Sequence, residues 1–206
     1  MTTVISTLFI SLDGVTEIDP AWHFPYFDEN MGAAVAADYE GTDVLLLGRT
    51  TYDSFAGAWP LREGAGEVDA GFAKQLGDLR KVVATHDAGD LGWRNAAATD
   101  DVLATVAALR REPGVEKVLV AGSVSIVRQL LRAGELDEVS LLIHPVVAGH
   151  GDRLFDHVDL QPLRLVRSAV FPTGVVHLHY AMAELPNTHG YDDIVDDVPG
   201  GQQPAE

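Results

Sequence analysis

The chain contains 206 residues, 47% of them hydrophobic, and carries a formal net charge of -17 at pH 7. This charge argues against nucleic acid and anionic membrane surfaces as partners, because both attract clusters of Lys and Arg. The absence of cysteine excludes disulfides and Cys-ligated metal sites, and it favours a cytoplasmic location.

Short apolar runs alternate with helical patterns from the N-terminus onward. "VISTLFISL" (4–12) predicts a first strand, and "DENMGAAVAADYE" (28–40) predicts a helix with Asp28 as its N-cap. "DVLLLG" (43–48) predicts a strand buried on both faces, and "RTTYDSFAGAW" (49–59) predicts a short helix. No stretch approaches the roughly 20 apolar residues of a membrane span, and the N-terminus lacks signal-peptide features.

The same alternation continues to about residue 182. The further predicted helices cover 68–79, 100–112 and 123–134. The further predicted strands cover 80–86, 116–122 and 137–147, with a short strand expected within 87–98 and a hairpin of 163–172 and 174–182 at the end.

This order of elements predicts an α/β fold with a mostly parallel central sheet and helices on both faces. The terminal hairpin predicts antiparallel strands at one edge of that sheet. We expect one domain over residues 1–185. Residues 186–206 are acidic and lack a core-forming pattern, so they predict a disordered tail.

Three predicted strands end in residues suited to binding an anion. They end in Gly48-Arg49-Thr50-Thr51, in Thr85-His86 and in Gly122-Ser123. Ligands of open α/β sheets usually bind beyond the carboxyl ends of the strands, and helix N-termini favour phosphate. Together, the three corners predict a site for a nucleotide with several phosphate groups.

Each corner also has an ordinary structural interpretation. Gly122-Ser123 is typical of a helix cap, Thr85-His86 of a solvated turn, and Arg49 of a surface residue paired with a local acid. The sequence contains neither G-x-G-x-x-G nor G-x-x-x-x-G-K-[ST], which disfavours a Rossmann dinucleotide fold and a P-loop NTPase.

Five segments in this order resemble the dihydrofolate reductase-like superfamily, and specifically its branch related to the riboflavin-biosynthesis reductase (RibD C-terminal) domain. They are "TLFISLDG" (7–14), "LLLGRTTY" (45–52), "RKVVAT" (80–85), "VLVAGSVSIVRQLL" (118–131) and "DEVSLLIHPVVAGHGDRLF" (137–155). The resemblance covers about residues 3–182. It implies a dihydrofolate reductase-like fold, NADPH as cofactor, and a homodimer.

The resemblance also implies roles for the three corners. Gly48, Arg49, Thr50 and Thr51 would hold phosphates of NADPH, and Thr85 and His86 would lie near its adenosine 2′-phosphate. Gly122, Ser123 and Val124 would present backbone N–H groups to the diphosphate, and the first strand around Ile10 would border the nicotinamide. The diphosphate turn departs from the usual pair of glycines, since it reads Ala121-Gly122.

The substrate side is predicted with less detail. The loop "WHFPYFDE" (22–29) resembles the W-x-x-P-x-D region of dihydrofolate reductase, but it has one extra residue before Asp28. Asp28 is therefore expected to cap the following helix, although Asp13, Asp28 or a water could supply the proton of the reaction. Trp22 and Tyr26 would wall the substrate pocket, and Arg153 is the candidate for binding a substrate phosphate.

The function that follows is an NADPH-dependent reduction of a small heterocyclic or carbonyl substrate, related to 5-amino-6-(5-phosphoribosylamino)uracil reductase. The alternatives are a non-catalytic nucleotide-binding or interaction module and a dihydrofolate reductase. His177 and His179 face the same side of one predicted strand and could bind a metal with His144 or His157. Isolated histidines on strands are more often structural, and we predict no metal site.

Overall fold

The computed structural model describes residues 1–64, 69–87, 89 and 91–185. The predicted acidic tail lies outside these residues, as do residues 65–67 of the glycine-rich segment "REGAGE" (62–67), which the sequence predicts as a loop. Among the helices described, none is long and apolar enough to cross a membrane.

The described chain forms an eight-stranded sheet with the order β4-β3-β2-β5-β1-β6-β8-β7. Its strands are β1 Thr3–Ser11, β2 Val44–Gly48, β3 Arg80–Ala84, β4 Ala96–Thr99, β5 Lys117–Val120, β6 Glu138–His144, β7 Leu163–Val170 and β8 Val176–Met182. β1 to β6 pair in parallel, whereas β8 and β7 are antiparallel additions beyond β6. The predicted α/β fold, with its C-terminal hairpin, is confirmed.

Helices cover both faces of the sheet. They are α1 Pro20–His23, α2 Glu29–Tyr39, α3 Arg49–Glu63, α4 Ala70–Asp78, α5 Val102–Leu109 and α6 Val124–Ala133. Tyr52 of α3 and Leu76 of α4 pack on one face, against Leu45 of β2. Val106 of α5 and Val127 of α6 are buried on the other face. Both layers are continuous apolar cores, as expected for strands buried on two sides.

Two local predictions needed correction. The loop after β1 contains α1 and a 3-10 turn at Phe24–Tyr26, because Asp19 caps α1 through a hydrogen bond from the N–H of Ala21 (2.8 Å). Helix α3 extends to Glu63 instead of ending near Trp59, and it contains Pro60 in its interior. A proline inside a helix removes one hydrogen bond, which is why the sequence predicted an earlier end.

The order of the strands places a topological switch point between β2 and β5. β2 and β5 are hydrogen-bonded neighbours. The chain leaves β2 into α3 on one face and leaves β5 into α6 on the opposite face. Such a switch point, at the carboxyl ends of parallel strands, is where α/β sheets usually bind ligands.

Candidate functional site

The three predicted anion corners meet at one edge of the sheet. β2 lies between β3 and β5, and all three strands run in parallel. Their carboxyl ends therefore bring Gly48, Thr85 and Gly122 to the same edge. This arrangement is the one that the sequence predicted from the ends of separate strands.

Gly48, Thr51, Gly122 and Ser123 form a closely packed group that we call the glycine corner. The N–H of Gly48 donates to the carbonyl oxygen of Gly122 at 2.9 Å. A Cβ placed on Gly48 would lie 2.6 Å from Oγ of Ser123, and one placed on Gly122 would lie 3.0 Å from Oγ1 of Thr51. Gly122 also has a φ of 124°, which only glycine adopts readily. The corner has no room for a side chain at either position.

Two helix N-termini open at the glycine corner without side-chain caps. Gly48 precedes α3 and has no side chain to cap it, and Ser123 precedes α6 without making a capping hydrogen bond. The hydroxyl of Ser123 instead lies 2.7 Å from that of Ser125. The first N–H groups of both helices thus remain available, and such groups attract anions. Ser123 occupies the N-cap position of α6, as the capping interpretation expected, but its side chain makes no capping hydrogen bond.

Arg49 links the corner at β2 to the corner at β3. Its Nε lies 2.9 Å from both carboxylate oxygens of Asp53, one turn along α3. Its Nη1 donates to the carbonyl oxygen of Asp87 at 3.4 Å. Thr85 and exposed His86 form a turn in which Oγ1 of Thr85 accepts from the N–H of Asp87 (3.1 Å). Arg49 is therefore near the anion corners, but it already has an acidic partner.

Asp13 anchors two loops at the carboxyl end of β1. Its carboxylate accepts hydrogen bonds from Oγ of Ser11 (2.6 Å) and from the N–H groups of Ala148 and Gly149 (2.9 Å each). These bonds, that of Ser11 first, hold the pKa of Asp13 far below its usual value. The contacts favour a structural role for Asp13 over the predicted role as a proton source.

Arg153 lies at the same end of the sheet as Asp13. Its Nε donates to the main-chain oxygen of Asp13 at 3.0 Å, and its Nη2 lies 3.5 Å from the Asp13 carboxylate. The side chain is 41% exposed. Arg153 is accessible to a ligand, although part of its hydrogen-bonding capacity is used within the protein.

Asp28 caps α2, as expected. Its carboxylate accepts from the N–H of Met31 at 2.9 Å and from Nδ2 of Asn30 at 3.0 Å. The bond from Asn30 is the larger cause of the lowered pKa of Asp28. A capped, ionised carboxylate is a poor acid, so these contacts favour the cap over a role in proton transfer.

Ile10 packs in the core cluster that lies beneath α5 and α6. It is only 3% exposed, whereas Leu12, just beyond the strand, is 65% exposed. Leu12 thus offers an accessible apolar surface close to the position where the nicotinamide was predicted.

The loop 22–29, which we call the aromatic loop, contributes His23 to a buried histidine pair that the sequence did not predict. His144, the last residue of β6, lies edge-on to Trp22, with ring centroids 5.0 Å apart, and to Tyr26 at 6.0 Å. Its Nε2 lies 3.2 Å from Nδ1 of His23. Nδ1 of His144 faces the carbonyl oxygen of Leu142 at 3.1 Å, so Nδ1 bears the hydrogen and Nε2 accepts from His23.

Both histidines of this pair are neutral near pH 7. Burial, and then the neighbouring His144, lower the pKa of His23 to about 4, and burial lowers the pKa of His144. Their sequence positions are 121 residues apart. The aromatic residues of the loop 22–29 predicted one side of a substrate pocket. A single sequence carries no signal that His23 and His144 are in contact.

A second polar group, which we call the Asp38 cluster, lies between helix α2 and strands of the sheet. Asp38 of α2 accepts from Oγ1 of Thr7 (2.9 Å), Oγ of Ser140 (2.6 Å) and Nη2 of Arg167 (2.6 Å). Nε2 of His177 donates to Oγ of Ser140 at 2.7 Å. Burial alone would raise the pKa of Asp38, but interactions with His177, whose Nε2 also lies 3.4 Å from the carboxylate, and with Ser140 and Thr7 hold it below its usual value.

Three of the four histidines considered for metal binding have other partners. His177 belongs to the Asp38 cluster, and Nε2 of His179 lies 2.7 Å from the carboxylate of Glu138. His144 pairs with His23. Within the described parts of the chain, no group of three or more His, Asp or Glu side chains is arranged to hold a metal ion.

Comparison with known proteins identifies the family. Residues 2–177 match the RibD C-terminal domain family, to which the chain therefore belongs. The uncharacterised protein YyaP of Bacillus subtilis (strain 168) is 28% identical over 139 residues, which are 67% of this chain and 73% of YyaP. Family membership supports a reductase of the riboflavin-biosynthesis type, in agreement with the resemblance seen in the sequence.

Solved structures share the fold. A putative riboflavin biosynthesis protein from Shewanella sp. PV-4 aligns with a TM-score of 0.70 at 17% identity, over 89% of this chain and all of that one. A pyrimidine reductase-like protein from Corynebacterium diphtheriae gives 0.61 at 15% identity, over 89% of this chain and 92% of that one. RibD of Acinetobacter baumannii gives 0.63 at 12% identity, over 89% of this chain and 59% of RibD.

Proposed function

We propose that this protein is a reductase that binds NADPH at the glycine corner and transfers its hydride to a small heterocyclic or carbonyl substrate. The observation that carries the proposal is the meeting of two uncapped helix N-termini, those of α3 and α6, at a corner that excludes side chains. Membership of the RibD C-terminal domain family supports the reductase class.

The residues of the corner fit a dinucleotide diphosphate. The bare backbone at Gly48 and Gly122 lets a phosphate approach closely, and the first N–H groups of α3 and α6 donate to its oxygens. Hydroxyls of Thr50, Thr51 and Ser123 are further donors of the same kind. Arg49 supplies positive charge near the turn at Thr85-His86, where the resemblance expects the adenosine 2′-phosphate.

The nicotinamide of a bound dinucleotide supplies the hydride. The protein's own residues orient the partners and exclude water. Leu12 at the end of β1 and the aromatic loop with Trp22 and Tyr26 would border the reacting groups. Asp13 is held ionised by Ser11 and two backbone N–H groups, so we assign the proton to solvent water rather than to Asp13.

Substrate choice is proposed only at the level of class. A phosphoribosylamino-pyrimidine would need a cation for its phosphate, and Arg153 is accessible at this end of the sheet. That phosphate would have to compete with Asp13 for the guanidinium of Arg153. A smaller pyrimidine, pterin or quinonoid substrate needs no such exchange.

Titration of the protein with NADPH and NADH, followed by nucleotide fluorescence, tests the proposal. We expect micromolar binding and then oxidation of NADPH with a pyrimidine, pterin or quinonoid substrate. Failure of both dinucleotides to bind would reject the reductase. Binding without turnover would favour a non-catalytic nucleotide-binding module, and turnover with dihydrofolate alone would identify a dihydrofolate reductase.

We also propose that the protein forms a homodimer through β7. This strand lies at the end of the sheet, pairs only with β8 among the described strands, and is exposed over most of its length, with Val170 at 75%. The segment 160–183 contains two arginines and no Asp or Glu, in a chain with 31 acidic residues. Electrostatic repulsion between two copies of this acidic chain is therefore weakest at this edge. An edge strand with unpaired backbone groups also readily pairs with a strand of another chain.

Light scattering on the purified protein measures this assembly. We expect a dimer for the wild type and a monomer for Val166→Glu, which puts a charge on the half-exposed surface of β7. Leu61→Glu is the control, because Leu61 is 77% exposed on α3 and should leave the dimer intact. A wild-type monomer would reject the interface.

A further inference from the structure

Arg49 and Asp53 form an ion pair at the corner where the adenosine end of the cofactor is expected. Nε of Arg49 is 2.9 Å from each carboxylate oxygen of Asp53, and Nη1 contacts the carbonyl oxygen of Asp87. Both side chains of the pair are partly exposed, Arg49 by 37% and Asp53 by 53%. A ligand therefore meets this guanidinium together with its carboxylate.

The surrounding charges do not favour a phosphate dianion. Segments 48–53 and 84–87 carry one arginine, two aspartates and one histidine. A 2′-phosphate that approached Arg49 would compete with Asp53 for Nε and would be repelled by both aspartates. The 2′-hydroxyl of NADH is neutral, so it neither competes with Asp53 for Arg49 nor is repelled by the aspartates. Carboxylates in dinucleotide sites accept hydrogen bonds from this hydroxyl.

The competition with Asp53 concerns the 2′-phosphate of NADPH and does not concern the diphosphate. NADH and NADPH share the diphosphate, which would lie at the glycine corner, so the ion pair acts only on the group that differs between them. Solvent partly screens charges at an exposed site, so an interaction of this kind changes an affinity by at most about tenfold.

We propose that Asp53 sets the cofactor selectivity of this protein. It pairs with the guanidinium of Arg49 and thereby lowers the affinity for NADPH relative to that for NADH, so that NADH is also used. This inference rests on the proposed dinucleotide-dependent function. Asp53 acts through Arg49 and is a positioning residue, whereas Arg49 would contact the 2′-phosphate itself.

The test is the ratio of the dissociation constants for NADH and NADPH, measured on the same preparation of each variant. Asp53→Asn removes one negative charge and releases Arg49, and we expect it to raise the preference for NADPH about tenfold. The change should come from tighter NADPH binding, with the NADH constant moving less than twofold. A purely structural effect of the substitution would change both constants together.

Glu63→Gln is a matched control. Glu63 lies at the other end of α3, ~21 Å from Arg49 along the helix axis. It also pairs with an arginine, Arg94. The substitution removes the same unit of charge, and we expect it to leave the ratio of constants unchanged.

The outcomes separate this inference from the proposed function. If neither dinucleotide binds the wild type, the proposed function fails. If both bind and Asp53→Asn shifts their ratio by less than twofold, the function stands and the role of Asp53 is rejected. An equal shift of the ratio in Glu63→Gln would also reject it, because net charge would then be the cause.

Discussion

The Asp38 cluster and the glycine corner differ in how many of their hydrogen-bonding groups are used within the protein. In the Asp38 cluster, both carboxylate oxygens have partners, and Ser140 both donates to Asp38 and accepts from His177. In the glycine corner, two helices begin without side-chain caps. Buried polar groups are normally satisfied, so unused donors at an accessible edge indicate a place for a ligand.

The comparison also separates two kinds of electrostatics. The Asp38 carboxylate is ionised because protein groups around it replace water. The glycine corner attracts an anion through backbone N–H groups, and it carries no fixed counter-charge of its own. Substitutions in the first region should therefore change stability, whereas those in the second should change binding.

The largest expected effect is on stability, from Asp38→Asn. The amide cannot pair with Arg167 as a carboxylate does, and it brings a donor towards the hydroxyls of Thr7 and Ser140. The Asp38 side chain is fully buried, whereas that of Arg167 is 50% exposed. Loss of the charged acceptor for the hydrogen bonds from Thr7, Ser140 and Arg167 costs about 4 kcal/mol in total, which urea denaturation would measure.

The dinucleotide affinity of folded Asp38→Asn protein should equal that of the wild type. If fully folded Asp38→Asn protein bound the dinucleotide more weakly, the Asp38 cluster would be coupled to the site, and the separation of stability from binding would fail. A loss of stability below about 1 kcal/mol would show that Asp38 is not needed as an anion.

The His23–His144 pair sharpens the comparison, because it lies at the carboxyl edge yet is closed by an internal hydrogen bond. The pKa of His23 is about 4 in the folded protein and 6.5 in a free histidine. Between these values the unfolded chain binds a proton that the folded protein does not. Stability is therefore fully present above pH 6.5 and falls, by about 3 kcal/mol, as the pH drops towards 4.

Denaturation curves measured from pH 7.5 to pH 4 check this slope. His23→Asn is the informative variant, because its amide N–H can still donate to Nε2 of His144 without titrating. We expect a flatter dependence of stability on pH in this variant. An unchanged slope would assign the loss of stability to other groups.

The sequence predicted the fold and the glycine corner better than it predicted the partners of individual side chains. Strand ends and helix starts are local signals, so Gly48 and Gly122 were identified from a few neighbouring residues each. The pairs Asp38–Arg167 and His23–His144 join positions more than 100 residues apart. Such contacts depend on the register of strands, which a single sequence does not carry.

The smallest of these effects is expected on dinucleotide binding, from Gly48→Ala. This substitution tests most directly whether the ligand binds at the glycine corner. The backbone of Gly48 has a φ of -75° and accepts alanine, so the substitution acts through its methyl group. That methyl would lie 2.6 Å from Oγ and 3.1 Å from the backbone nitrogen of Ser123, which must move away. We expect dinucleotide affinity to fall on the order of 30-fold, or about 2 kcal/mol.

Gly57→Ala is the matched control within the same helix. A Cβ on Gly57 meets no atom within 4 Å, and alanine favours the helix over glycine by about 0.5 to 1 kcal/mol. Fluorescence titration should give wild-type affinity for Gly57→Ala and weakened affinity for Gly48→Ala. Equal affinities for both variants would mean that the phosphates bind elsewhere, and the two uncapped helix N-termini would then need another explanation.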